Sequence, residues 1–197
     1  VYLMRFRAQD PLKVKVWSWT LGLLAVSGFL GAVGHGFKMS KEAIAWIWTP
    51  LFLSLGLTVA MFVVGVIYDL WGEKATRKAL PILMVVAFVF WGITRLIPGS
   101  FLVFVLYEAV FMLFALVAYV WVAVKGKVRG AWLMVAGIFV TIVAAGIQAS
   151  RMLRFTLIWE FDHNGVFHLV QMAGIVLLVA GLRAALAPES PTSDTAG

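Results

Sequence analysis

The sequence predicts an all-α, polytopic membrane bundle of about six transmembrane helices with both termini in the cytoplasm. Three observations predict it. The 197 residues are 63% hydrophobic and only 13% charged, with a mean hydropathy of +1.00, whereas soluble domains carry about 25% charged residues. Apolar runs recur at lengths near the roughly 20 residues that span a bilayer. Basic and tryptophan residues gather at the ends of those runs.

The spans are predicted at 16–37, 50–71, 79–97, 101–124, 130–150 and 165–187. A basic start followed by an apolar stretch has the look of a signal peptide. The run 16–37, however, exceeds the 7–15 apolar residues of a signal core, which predicts an uncleaved first helix. "SKEAIAWIW" (40–48) reads as a short interfacial segment, with Pro50 in the first turn of the next helix, where its missing N–H costs nothing. Pro98-Gly99-Ser100 predicts a tight turn and antiparallel third and fourth helices. "KGKVRG" (125–130) separates the fourth and fifth. Residues 1–187 form one bundle, and the Pro/Ser/Thr-rich 188–197 is predicted to be a disordered tail.

Orientation follows from Lys and Arg. One side holds Arg5, Arg7, Lys13, Lys15, then Lys74, Arg77, Lys78, then Lys125, Lys127, Arg129, and finally Arg183. The other holds only Lys38, Lys41, Arg95, Arg151 and Arg154. The richer side is cytoplasmic. Trp17, Trp19, Trp71, Trp121 and Trp132 mark inner ends, and Trp46, Trp48 and Trp159 outer ones, as an aromatic belt would. The predicted location is the cell membrane, as a multi-pass protein of bacterial inner-membrane type. The net charge of +7 therefore addresses anionic headgroups and topology, not nucleic acid.

With that topology, polar residues from five helices meet in the outer leaflet. His35 ends the first span and Arg95 the third, Glu108 lies about 10 Å inside the fourth, Gln148 closes the fifth, and His168 and Gln171 open the sixth, one turn apart. The stretch "EFDHNGVFHLVQ" (160–171) concentrates this chemistry. Small residues suggest which faces point inward: Gly28, Gly31 and His35 form one stripe, and Gly137, Thr141, Ala144 and Gln148 another. Tyr119 falls on roughly the face of Glu108. An ionised carboxylate in hydrocarbon costs roughly 2.5–3.5 kcal/mol on insertion scales, so Glu108 is expected to be protonated, paired or cation-bound, with Arg95 and His168 as partners. Its structural reading is a buried pair that orders the bundle. Asp162 or Asn164 reads equally as the N-cap of the last helix, and His168 equally as a satisfied core histidine.

Zinc accepts imidazole and carboxylate ligands. His35, His168 and either Asp162 or His163 offer three, with Glu108 as general base and Arg95, Gln148 and Gln171 as ligand-binding neighbours. Haem held by His35 and His168, or a quinone or lipid headgroup among His, Arg and Gln, are the alternatives. No cysteine is present, which excludes disulfides, thiolate nucleophiles, Cys-ligated metals and c-type haem attachment. No phosphate-binding Gly loop or GxSxG elbow occurs.

The segments "GAVGH" (31–35) and "DHNGVFH" (162–168) resemble the CREST superfamily, which includes alkaline ceramidases and progestin-and-adipoQ-type receptors. The resemblance implies a zinc-dependent amide hydrolase within the membrane. It covers under a tenth of the chain. The family's Ser-x-x-x-His is Gly31-x-x-x-His35 here, four residues separate His163 from His168, and six predicted helices stand against the family's seven.

Two functional classes follow. The first is a metal-dependent membrane hydrolase of a lipid or amide. The second is a non-catalytic subunit of a larger membrane complex that binds lipid, quinone, haem or pigment, with membrane lipids and other membrane subunits as partners. Transport ranks third, because Asp69 and Glu73 read as boundary residues and the inner leaflet lacks a polar relay.

Overall fold

The computed structural model describes residues 10–97, 101–156 and 160–187. Five helices form there: α1 (Pro11–Gly36), α2 (Lys41–Leu96), α3 (Phe101–Val124), α4 (Ala131–Ser150) and α5 (His163–Leu186). All five are long and apolar enough to cross a bilayer. Between α4 and α5 lies a two-stranded antiparallel ribbon, β1 (Phe155–Thr156) with β2 (Glu160–Phe161), which the all-α expectation did not include. The turn expected at 98–100, Trp159 and the tail 188–197 lie outside the described residues.

Local chemistry sets the helix starts. Asp10 accepts the Lys13 N–H at 2.9 Å and Pro11 occupies the first turn, so α1 begins five residues before the predicted span. Ser40 caps α2 through the Ala43 N–H. The helix then runs straight through Pro50, which corrects the separate interfacial segment predicted at 40–48. Pro50 withholds the N–H that would reach the Trp46 carbonyl, a loss that membrane bundles tolerate; beside it the Thr49 hydroxyl donates to the Ala45 carbonyl at 2.9 Å.

At 56 residues, α2 would be about 84 Å long if straight, against a hydrocarbon core of about 30 Å. It breaks at Gly72, whose φ of 77° and ψ of −173° lie in a region essentially reserved for glycine. The two limbs then fold back on each other. The Trp91 indole donates to the Thr49 carbonyl (3.1 Å) and the Arg95 guanidinium to the Thr49 hydroxyl (2.6 Å). Met61, Val63 and Val64 of the first limb pack with Leu83 and Ala87 of the second. The runs predicted at 50–71 and 79–97 are thus the two limbs of α2.

Close packing is strictly serial: α1 on α2, α2 on α3, α3 on α4, α4 on α5, while α1 and α5 scarcely touch. The α4–α5 contact is the tightest. Gly137, Thr141 and Ala144 are buried on that face as their spacing predicts, and Gly137 receives Leu178. The α1 stripe behaves otherwise. Gly28 has open space around it and Gly31 meets only Leu51, so that face is not a close helix contact. One apolar cluster joins every helix at the Asp69 end, with Val14, Trp17, Phe62, Met112, Tyr119, Met134 and Leu182 at its centre. Trp17 belongs to this core at 2% exposure and not to the interfacial belt; Trp19, Trp46, Trp71, Trp121 and Trp132 are exposed, as a belt requires.

Candidate functional site

Above that apolar cluster is a cavity of about 80 Å³ to which all five helices contribute. Its oxygen-bearing side chains are Thr20 from α1, Thr58 from α2, Glu108 from α3, Thr141 from α4 and Gln171 from α5. The threonine hydrogens are committed elsewhere. The Thr20, Thr58 and Thr141 hydroxyls donate to the carbonyls of Val16 (3.0 Å), Ser54 (2.7 Å) and Gly137 (2.9 Å). The Gln171 amide nitrogen donates to Thr141 Oγ1 at 3.4 Å, leaving Gln171 Oε1 buried without a partner. Glu108 makes no hydrogen bond or ion pair among the described residues. What these side chains bring to the cavity is oxygen lone pairs, one carboxyl group and the second Gln171 N–H, set among Trp17, Phe62, Phe104 and aliphatic walls. The Trp17 indole N–H, also buried and unpartnered, lies against Gly65.

The partners expected for Glu108 are elsewhere. Arg95 is spent on Thr49 across the α2 fold. Tyr119, expected beside Glu108, donates to Asp69 Oδ2 at 2.8 Å, and Lys13 Nζ meets Asp69 Oδ1 at 2.6 Å with both side chains nearly fully buried. Asp69 is therefore a buried anchor and not a boundary residue, and its end of the bundle does hold a polar set. Trp17, Phe62, Met112 and Leu182 fill the apolar layer beneath the cavity.

A second concavity, a cleft of about 480 Å³, opens at the histidine end between α1, α2, α3 and the α4–α5 connection. It gathers His35, Gln148, Arg151, His163 and Asn164 beside Trp48, so topology does bring these separated residues together. Gln148 donates to Asn164 Oδ1 at 3.2 Å, and His35 stands edge-on to Trp48 with ring centres 5.6 Å apart. His163 Nδ1 is buried without a hydrogen bond. His168 is exposed beside Phe167, outside the lining of this cleft, though near enough to His35 for an electrostatic interaction. Arg151 was counted only as a topology charge in the sequence; its position at the C-terminus of α4 gave no other signal.

Asp162 is the N-cap of α5, its Oδ1 accepting the N–H groups of Gly165 (2.9 Å) and Asn164 (3.0 Å). The Gly165 N–H chiefly, helped by Asn164 and offset by slight desolvation, holds its carboxyl below the usual range. A carboxylate depressed in the folded state stabilises above its unfolded pKa of about 3.9 and loses that contribution as pH falls through the lower folded value. Amide-exchange protection at Asn164 and Gly165, relative to the intrinsic rate, is therefore expected to fall below about pH 4. Asp162→Ala should show the same loss of protection at neutral pH, at a cost of about 0.5–2 kcal/mol.

Zinc would need three converging donors. Among the described residues no group of three or more His, Asp or Glu side chains comes together: Asp162 is engaged in its cap and His168 lies apart from the cleft. The donors as placed do not fit a zinc centre.

A family of unknown function (DUF6962) matches residues 1–187. The chain belongs to that family. The match spans every helix of this DUF6962 bundle, both concavities included. No curated protein matches the chain, and no solved structure does.

Proposed function

We propose that this is a multi-pass cell-membrane protein, crossing six times with cytoplasmic termini, that binds the ammonium head of a lipophilic amine in the Glu108 cavity. The basic bias and the doubling back of α2 at Gly72 support the topology. One observation carries the ligand class. Each of five helices sets one oxygen-bearing side chain in the lining of one small space, and the three threonine hydroxyls there donate to backbone carbonyls. A lining rich in acceptors, with one carboxyl group unpaired among the described residues, suits a cationic donor. Burial of Glu108 without a counter-charge is costly, and an ammonium group supplies both the charge and the N–H groups. Trp17, Phe62 and Phe104 on the walls suit an organic cation, since aromatic faces attract it.

The test is thermal unfolding of the purified protein in neutral detergent with n-decylammonium or n-decanol. Decylammonium is expected to raise the melting temperature in a concentration-dependent manner, as any ligand of the folded state does. Decanol is expected not to. Glu108→Gln keeps the shape, removes the charge, and is expected to weaken the amine effect tenfold or more. Equal shifts from both compounds, or an unaltered response in Glu108→Gln, would overturn the reading.

A further inference from the structure

The cleft at the histidine end is chemically the reverse of the Glu108 cavity. Its side chains supply a guanidinium (Arg151), two imidazoles (His35, His163), two amides (Gln148, Asn164) and an indole (Trp48), with no carboxylate in the lining. Arg151 forms no ion pair or hydrogen bond among the described residues. It also ends α4 with φ 56° and ψ 14°, the one non-glycine residue at positive φ among the described residues. That conformation costs an L-residue roughly 1–2 kcal/mol, and glycine ordinarily fills such a helix end. The strained position carries the cleft's only strong cation, among the described residues.

The cleft does not end at the surface. Val105 and Ala149 line it and also line a groove of about 240 Å³ between α3 and α4. That groove continues past Ala109, Ile142 and Ala145 to Glu108 and Thr141, and its walls are almost wholly apolar. A donor-rich, cationic mouth thus leads into an apolar channel that descends a helix–helix seam. This pairing matches an amphiphile with an anionic head and a hydrocarbon chain. Arginine suits phosphate oxygens because its planar fork can bond two at once.

We propose that the cleft and groove together bind one anionic phospholipid, its phosphate on Arg151 with His35, His163 and Gln148 around it, and an acyl chain along the α3–α4 groove. The head-group contacts lie apart from the Glu108 cavity, and only the inner end of the groove shares Glu108, Met112 and Thr141 with it.

The test reconstitutes the full chain in phosphatidylcholine nanodiscs with increasing phosphatidylglycerol, releases it gently and counts retained lipid by native mass spectrometry. One phosphatidylglycerol per chain is expected, held in preference to phosphatidylcholine. Arg151→Gln should weaken retention about tenfold, one charge-assisted contact being lost, whereas Arg154→Gln, outside the cleft, should retain it. Arg151→Gly separates folding from binding: it relieves the backbone, so thermal stability in lipid-free detergent should hold or rise while retention falls as in Arg151→Gln. Equal retention of both lipids, or undiminished retention in both Arg151 variants, overturns the proposal. So does inorganic phosphate alone at millimolar concentration displacing the lipid completely, since that marks a free-anion site with no role for the groove.

Discussion

Asp69→Ala is expected to lower the stability of the bundle by about 3–5 kcal/mol, the range for removing one partner of a buried ion pair. Asp69 receives Lys13 at 2.6 Å and the Tyr119 hydroxyl at 2.8 Å, and the Lys13 and Asp69 side chains are 6% and 4% exposed. Taking away the carboxylate leaves an ammonium group among Val14, Val66 and their neighbours, and a phenol in the core without an acceptor. Because α1, α2 and α3 each contribute one of the three groups, the loss should appear as global unfolding, read as a lower melting temperature. Lys13→Met with Asp69→Leu is expected to be much closer to the native protein, since a buried pair can be replaced by apolar residues at little cost. An Asp69→Ala protein that melts like the native one would show the pair to be solvated.

Gly130→Ala is expected to cost about 2–5 kcal/mol, combining a left-handed penalty with overpacking. Gly130 has φ +75°, and a Cβ there would lie 2.6 Å from the Gly181 carbonyl oxygen and 2.7 Å from Ala184 Cβ. Backbone cannot swing aside as a side chain can, so the start of α4 must part from the end of α5. Gly146→Ala, on the same helix with open space around it, should be neutral or stabilising by up to about 1 kcal/mol, alanine being the better helix former. Chemical denaturation of the two variants side by side checks the contrast; similar losses in both would refute it.

The helices were legible because each bilayer-length apolar run has few other uses; His35, Gln148 and His163 were read as one polar group and line one cleft, whereas Asn164 was read only as a cap or turn residue. The buried role of Asp69 was not. In sequence it lies beside Trp71, Glu73 and Lys74, a pattern identical to a headgroup boundary, and only the approach of Lys13 and Tyr119 from other helices reveals the anchor. Trp17 misled for the same reason: indoles favour both interfaces and cores, and the small Gly65, 48 positions away in sequence, gives this one its seat. Pro50 marked a helix start by local rules that suppose water is available to end the helix. The meeting of Glu108 with Gln171 in one cavity was anticipated, whereas its hydroxyl lining from Thr20 and Thr58 carried no periodic signal.

The serial packing of the bundle bears on how it is made. Each helix packs chiefly on its neighbours in sequence, and the two most intimate pairs, α1 with α2 and α4 with α5, are built from adjacent stretches of chain. Assembly on the ribosome can therefore advance hairpin by hairpin without waiting for the last residues, a sequence of local steps that favours rapid folding. α1 and α5 meet through side chains alone, Val14 and Trp17 sharing one apolar cluster with Leu182 and Leu186, so α5 docks onto a layer that the earlier hairpins have already laid down.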